Sequence, residues 1–352
     1  MFALAVVAVG LAAATFQFIE TPAAALFRRR PYAVAIGLVV LLAVTGVVGR
    51  VTYASKGFPS RFPPLVTKVF DYAVNGADGE PRLMRCFYQR DDRAFPLEEE
   101  RLRAAAFFEG HDCGKPFDPK KPTILVVGDS HAAHLFAGLN QTYGDRANVM
   151  ALAAVFCVPL VEPVAMDEGV AGTPRCQAVN EYVFKRIAEI RPDVLVVGGY
   201  FAQYDHEANW RYPGFLDAVV AGARRLHEEG VASIVIAGEV PTWAPVLPIL
   251  VGRDLIETGT ASEFSHVGLR PDSLETDRVM AAKDWGPGVV YVSQAARLCG
   301  PEGCRRLVGS RLPEDVLAID SGHYSLAGSI WAVDHSLAPA IDAALEKARS
   351  AR

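Results

Sequence analysis

The sequence contains no Cys-x-x-Cys pair, so neither a zinc ribbon nor a thioredoxin-like redox centre has its usual ligands. It also lacks an excess of basic charge: 35 Lys and Arg face 40 Asp and Glu, for a net charge of -5. No basic patch with interleaved aromatics is present, which argues against a nucleic-acid partner. There is no internal repeat or low-complexity tract, and no histidine spacing recommends a metal. Charge is missing altogether from residues 1–19 and again from residues 33–49.

Those two apolar runs account for most of the positive mean hydropathy of +0.19. Each is near the lower limit for crossing a bilayer, which takes roughly 17–25 apolar residues. The first has no basic n-region and a second follows, so both read as membrane helices rather than as a cleaved leader. Arg28, Arg29 and Arg30 lie between them. The positive-inside rule makes that loop cytoplasmic and puts everything after Gly49 on the outer face. An even number of cysteines beyond such an anchor suggests disulfides, and with them the periplasm. The six are Cys86, Cys113, Cys157, Cys176, Cys299 and Cys304. Sequence leaves their connectivity open; local pairing, 86–113, 157–176 and 299–304, is the expectation.

Three regions follow from this patterning. Residues 1–49 hold the two transmembrane helices. Residues 50–120 form a mixed juxtamembrane extension, with turns at 75–79 (Asn-Gly-Ala-Asp-Gly) and at Gly114-Lys115-Pro116, and one charged helix candidate, 97–108. Residues 121–352 form the main domain, in which apolar runs alternate with helical stretches. Strands are expected at 123–128, 148–154, 193–198, 232–237 and 288–293, and helices at 131–141, 178–190, 214–229 and 326–349. The runs are continuously apolar, as strands buried on both faces are. In 178–190, Val179, Val183, Ile187 and Ile190 recur along one helix face before Arg191-Pro192 ends it. The β-α-β alternation predicts a three-layer α/β/α domain with a flavodoxin-like parallel sheet. A ligand site then belongs beyond the carboxyl ends of the strands.

Two short motifs meet that expectation. Gly128-Asp129-Ser130-His131 follows the first strand, and Asp320-Ser321-Gly322-His323 lies near the C-terminus. A serine on a strand-ending turn can act as a nucleophile. Histidine can take its proton, and aspartate can fix the imidazole tautomer and stabilise the imidazolium. Ser130, His323 and Asp320 are therefore the candidate catalytic residues. Read alone, Ser130 also suits the N-cap of the next helix. Asp129 is better explained as bracing the turn than as a base. Asp129 and His131 are candidates for the pocket wall, although a packed or exposed His131 would give the same pattern, and His134 is more simply read as a packed histidine.

GDSHAAHLFAGL and DSGHYSLAGSIWAV resemble the first and last blocks of the SGNH (GDSL-like) hydrolase and acyltransferase superfamily. More narrowly, they resemble the C-terminal SGNH domain fused to family 3 membrane acyltransferases. The resemblance runs from about Lys121 to the C-terminus. Upstream, Phe18-Ile19-Glu20-Thr21-Pro22 with Phe27-Arg28-Arg29-Arg30 looks like the end of that family's membrane domain, and residues 57–63 look like its junction.

The resemblance implies an O-acyltransferase, with acetyl as the acyl group, acting on a cell-envelope glycan. It implies no bound cofactor, with acetyl-CoA as the ultimate donor on the cytoplasmic side. Two spans are far fewer than that family's membrane domain has. The expectation is a truncated fusion or a separate membrane acyltransferase partner. The same residues would also serve a carbohydrate esterase with water as acceptor. A non-catalytic glycan-binding subunit is the third reading.

The oxyanion hole departs from the superfamily pattern. Residues 155–159 carry no glycine after the second strand, and Gly198-Gly199-Tyr200-Phe201 carries no asparagine after the third. The expected donors are the Ser130 N–H and an N–H at or near Gly199, with Asn209 the first asparagine side chain after it in sequence.

Overall fold

The computed structural model describes residues 2–55, 57–75, 86–89, 95–111, 113, 118–157, 160, 174–206 and 214–350. It divides into two compact units, Met1–Pro63 and Pro64–Arg352.

In the first unit the apolar run continues past Glu20. Helix Phe2–Thr15 passes through a π turn, Phe16–Glu20, into helix Thr21–Arg29. Pro22 has no N–H to give its own turn, and Thr21 Oγ1 donates to the Phe16 carbonyl at 2.9 Å across the irregularity. A second helix, Pro31–Ala54, has 24 residues. At 1.5 Å per residue it reaches about 36 Å, enough for a hydrocarbon core of roughly 30 Å. Ala8–Arg29 and Pro31–Ala54 are both long and apolar enough to span a membrane.

The second unit is built on a parallel sheet. Its strands are β1 (Phe87–Tyr88), β2 (Thr123–Gly128), β3 (Asn148–Ala154), β4 (Val194–Gly198), β5 (Ile234–Ala237) and β7 (Val289–Val292). They lie in the order β1-β3-β2-β4-β5-β7. From β2 onward this is the doubly wound flavodoxin order, whose switch point falls between β2 and β4. Ile124, Leu125, Val126 and Val127 have no exposed surface, nor do Val194, Leu195, Val196 and Val197. Burying each such side chain contributes about 1.5–3 kcal/mol, so the central strands anchor the core.

The sheet also takes a strand from upstream of Lys121. β1 pairs with β3, Phe87 opposite Ala153. A disulfide joins Cys86, just before β1, to Cys113, just after helix Leu97–Gly110. Cys157–Cys176 and Cys299–Cys304 are the other two disulfides. Helix Pro64–Asn75 packs on helix Leu247–Glu257, where a Cβ at Gly252 would lie 2.2 Å from the Phe70 ring. The remaining strands, β6 (Phe264–Ser265), β8 (Cys299–Gly300) and β9 (Gly303–Arg305), form a small antiparallel sheet that the sequence did not announce. The turns at 76–79 and 114–116 lie outside the described residues.

Candidate active site

Helix Ser130–Tyr143 starts one residue earlier than the sequence suggested, and Asp129 is its cap. Asp129 Oδ1 accepts from the His131 amide at 2.8 Å. Ser130 is thus the first helical residue, at the positive end of the helix dipole. Gly128 makes the turn possible. Its φ is +145°, and a Cβ there would lie 1.7 Å from the Gly198 carbonyl oxygen. Only glycine lets β2 and β4, paired here Gly128 to Gly198, approach so closely.

The second motif folds against the first. Asp320 Oδ1 accepts from the amides of Gly322 and His323, at 2.9 and 2.8 Å, which closes a tight turn. Its other oxygen, Oδ2, lies 2.6 Å from His323 Nδ1. His323 Nε2 lies 2.8 Å from Ser130 Oγ. Ser130, His323 and Asp320 are therefore brought into one line. The turn is held from behind: the Trp243 amide donates to the Ser321 carbonyl at 2.8 Å and the Leu247 amide to the Asp320 carbonyl at 2.9 Å.

The rest of the C-terminal motif is also explained. Ser325 caps helix Leu326–Ala332 by accepting from the Gly328 amide at 2.9 Å. A Cβ at Gly328 would lie 2.0 Å from the Leu317 carbonyl oxygen. Ser329 Oγ donates to the His134 carbonyl at 2.5 Å and accepts from the Gly138 amide at 2.9 Å. That locks the His323 segment to the Ser130 helix.

Electrostatics follow the geometry. Burial acts to raise the Asp320 carboxyl, but His323's hydrogen bond and charge, with two backbone amides, bring it down to about 2. Burial acts to lower His323, but the Asp320 bond and charge, aided by Asp129, outweigh it and leave the imidazole raised above 6.5. His131 and His134 are held well below that value, first by burial and then by neighbouring imidazoles.

His131 is buried and stacks on Tyr200, ring centroids 4.8 Å apart and planes 2° apart; it meets His323 edge-on at 5.2 Å. His134 Nδ1 accepts from the Tyr324 amide at 3.2 Å, so its Nε2 carries the proton. Asp129, nearly fully buried, takes the Tyr200 amide at 2.9 Å and the Tyr204 hydroxyl at 3.1 Å on Oδ2. It braces the turn. Among the described residues the Ser130 amide, first in its helix, has no hydrogen-bond partner, whereas the β4–β5 register, with the Leu195 amide donating to the Ser233 carbonyl and Gly198 opposite Ala237, turns the expected Gly199 donor toward β5 and away from Ser130. Asn209 lies outside the described residues.

Sequence reasoning missed Tyr200 and Tyr204. Neither tyrosine left a local signal. Among the described residues no cluster of His, Cys, Asp and Glu is arranged to hold a metal.

A model of the SGNH domain, the kind fused to AT3 domains, matches residues 85–338. The chain belongs to the SGNH family. This SGNH chain is similar in fold to the periplasmic domain of a lipopolysaccharide acetyltransferase from Salmonella ser. Paratyphi A. That similarity has 22% identity and a TM-score of 0.57, and covers 76% of this chain and 95% of the other. A candidate acylhydrolase from Bacteroides fragilis aligns at 9% identity and a TM-score of 0.40, over 73% and 99% of the two chains; a score this low does not establish a shared fold. No curated protein matches the chain significantly.

Proposed function

We propose that this SGNH domain is a serine-dependent O-acyltransferase that passes an acyl group, acetyl in the first instance, to a hydroxyl of a cell-envelope polysaccharide. The observation that carries this reading is the line from Asp320 through His323 to Ser130, at 2.6 and 2.8 Å.

In the forward half-reaction His323 Nε2 takes the Ser130 proton as Oγ adds to the donor's acyl carbonyl. Asp320 orients the imidazole and stabilises the imidazolium. The tetrahedral oxyanion forms beside the Ser130 amide, and one such donor is typically worth ~100–1000-fold in rate. Collapse breaks the bond to the leaving group, which takes the proton back from His323. In the second half-reaction a sugar hydroxyl gives its proton to His323 and attacks the acyl-serine. Its collapse frees Ser130 Oγ, which recovers the proton.

The family's association with AT3 domains supports a membrane acyltransferase unit as the immediate source of acyl groups, with acetyl-CoA as the ultimate donor and no cofactor held by the SGNH domain. The two apolar helices and three disulfides support an inner-membrane anchor with the domain in the periplasm. One observation favours the esterase reading: the side chains of Asp320 and His323 are 37% and 36% exposed, so water reaches the triad when no acceptor covers it.

Incubating the chain with an aryl acetate should place one acetyl group on Ser130, seen by mass spectrometry of intact protein and peptides. Adding candidate polysaccharides should then divert acetyl from water to sugar. Acetylation that persists in Ser130→Ala, or its absence in the wild type under all conditions, would remove the nucleophile assignment.

A further inference from the structure

His131 follows Ser130 in the first turn of its helix and is only 4% exposed. Its ring is wedged at the site. One neighbour is Tyr200, stacked with planes 2° apart; the others are His134 at 4.9 Å and the catalytic His323, edge-on at 5.2 Å. Its Cε1 lies 3.7 Å from where a Cβ on Gly322 would stand, so that edge of the ring meets the catalytic turn. The two nitrogens bonded to Cε1 differ. Nδ1 is sealed from solvent and has no hydrogen-bond partner; Nε2 is not sealed, and among the described residues it has no partner either. A proton on Nδ1 would be a buried donor with nothing to accept it, which is costly. The proton therefore belongs on Nε2, where a ligand can take the hydrogen bond.

We propose that His131 is a catalytic residue: its Nε2–H donates to the acyl oxygen as that oxygen becomes the oxyanion on Ser130, beside the Ser130 amide. This rests on the acyl-serine reading above. The end of β4 offers no such donor. It has no asparagine, the Gly199 amide is turned toward β5, and Tyr200 gives its amide to Asp129 and its ring to His131. A side chain beside the serine supplies what that strand end lacks. Oxyanion donors work because they are fixed beforehand, and His131 is held by Tyr200 on its face and the Gly322–His323 turn at its edge. Burial, aided by the charge of His323, keeps the imidazole neutral, the form in which it polarises a carbonyl without giving up a proton.

The test is steady-state and single-turnover hydrolysis of an aryl acetate by the full chain in detergent, with melting followed in parallel. His131→Phe keeps a ring on Tyr200 and removes the N–H; it should lose kcat and the rate of Ser130 acylation by ~100–1000-fold with KM little changed. Two amides of different reach sharpen the test. The glutamine NH2 falls where Nε2 is, so His131→Gln should lose no more than about tenfold. The asparagine NH2 reaches only as far as Nδ1, so His131→Asn should be as poor as His131→Phe. If His131→Phe does not fold, the Gln and Asn variants decide. Wild-type kcat in a folded Phe or Asn variant would overturn the inference, as would a Gln variant as poor as Asn or an effect confined to KM. A wild type that never acetylates Ser130 removes the acyl-serine reading and this inference with it. An active wild type with indifferent His131 variants removes only the inference.

Discussion

Asp320 does two jobs with two oxygens, one closing its own turn on the Gly322 and His323 amides and one facing His323 Nδ1. Asp320→Asn leaves the first largely intact and destroys the second, because an amide NH2 facing Nδ1 selects the wrong tautomer. The variant should fold normally and lose aryl-acetate turnover by ~10⁴-fold, the size of the serine-protease precedent. Combined with His323→Ala it should be little worse than His323→Ala alone, since the two act as one unit. The pH profile gives an independent check. His323 must be neutral to accept the proton, and Asp320 holds its pKa above 6.5, so wild-type acylation should climb with pH through that raised value. Without the Asp320 charge, burial is the larger influence left, and it acts to lower the pKa. The residual activity of Asp320→Asn should therefore reach its plateau at lower pH. Full additivity, or an unmoved inflection, would mean that another carboxylate serves His323.

Helix Leu247–Glu257 links the catalytic turn to a helix outside the matched family region. Its first residue, Leu247, donates to the Asp320 carbonyl, while its middle, at Gly252, receives the Phe70 ring of helix Pro64–Asn75. The prop ends one turn from the site. A soluble fragment beginning after Asn75 should therefore be less stable than one beginning at Pro64, and should lose activity beyond what its melting temperature explains. A Phe70→Ala variant of the longer fragment should lie between them, at a cost below the about 3–5 kcal/mol of a fully buried ring, because Phe70 is only half-buried. Equal melting and equal rates for the two fragments would show that the helix only decorates the domain. The central strands, and the main helices that cover them, were legible in the sequence because unbroken apolar runs and a 3–4-residue period are local signals. β1, the small sheet and the Pro64–Asn75 contact were not. Two-residue strands have no period to read, and a helix's partner is chosen by shape across the fold.

At the scale of the whole chain, two helices long enough to span a membrane and the basic Arg28–Arg30 segment where they meet set a single expectation. A reporter enzyme fused after Lys120 should be active only in its extracytoplasmic form. Cytoplasmic activity of that fusion would reverse the orientation and place the disulfides in a reducing compartment. The sequence by itself determined the class of sheet, the two motifs that bring Ser130, His323 and Asp320 into one line, and two helices long and apolar enough to span a membrane. Each of these is written in contiguous residues whose chemistry or period is specific. Only the tertiary structure decided what surrounds the triad. Asp129, at the end of β2, and Tyr204, in the helix after β4, are far apart in the chain, and nothing local says that they share one buried hydrogen bond. The same holds for the oxyanion amide. Every non-proline residue carries an N–H, so which of them is left unpartnered at the active-site serine depends on how the neighbouring strands pair and where the next helix begins.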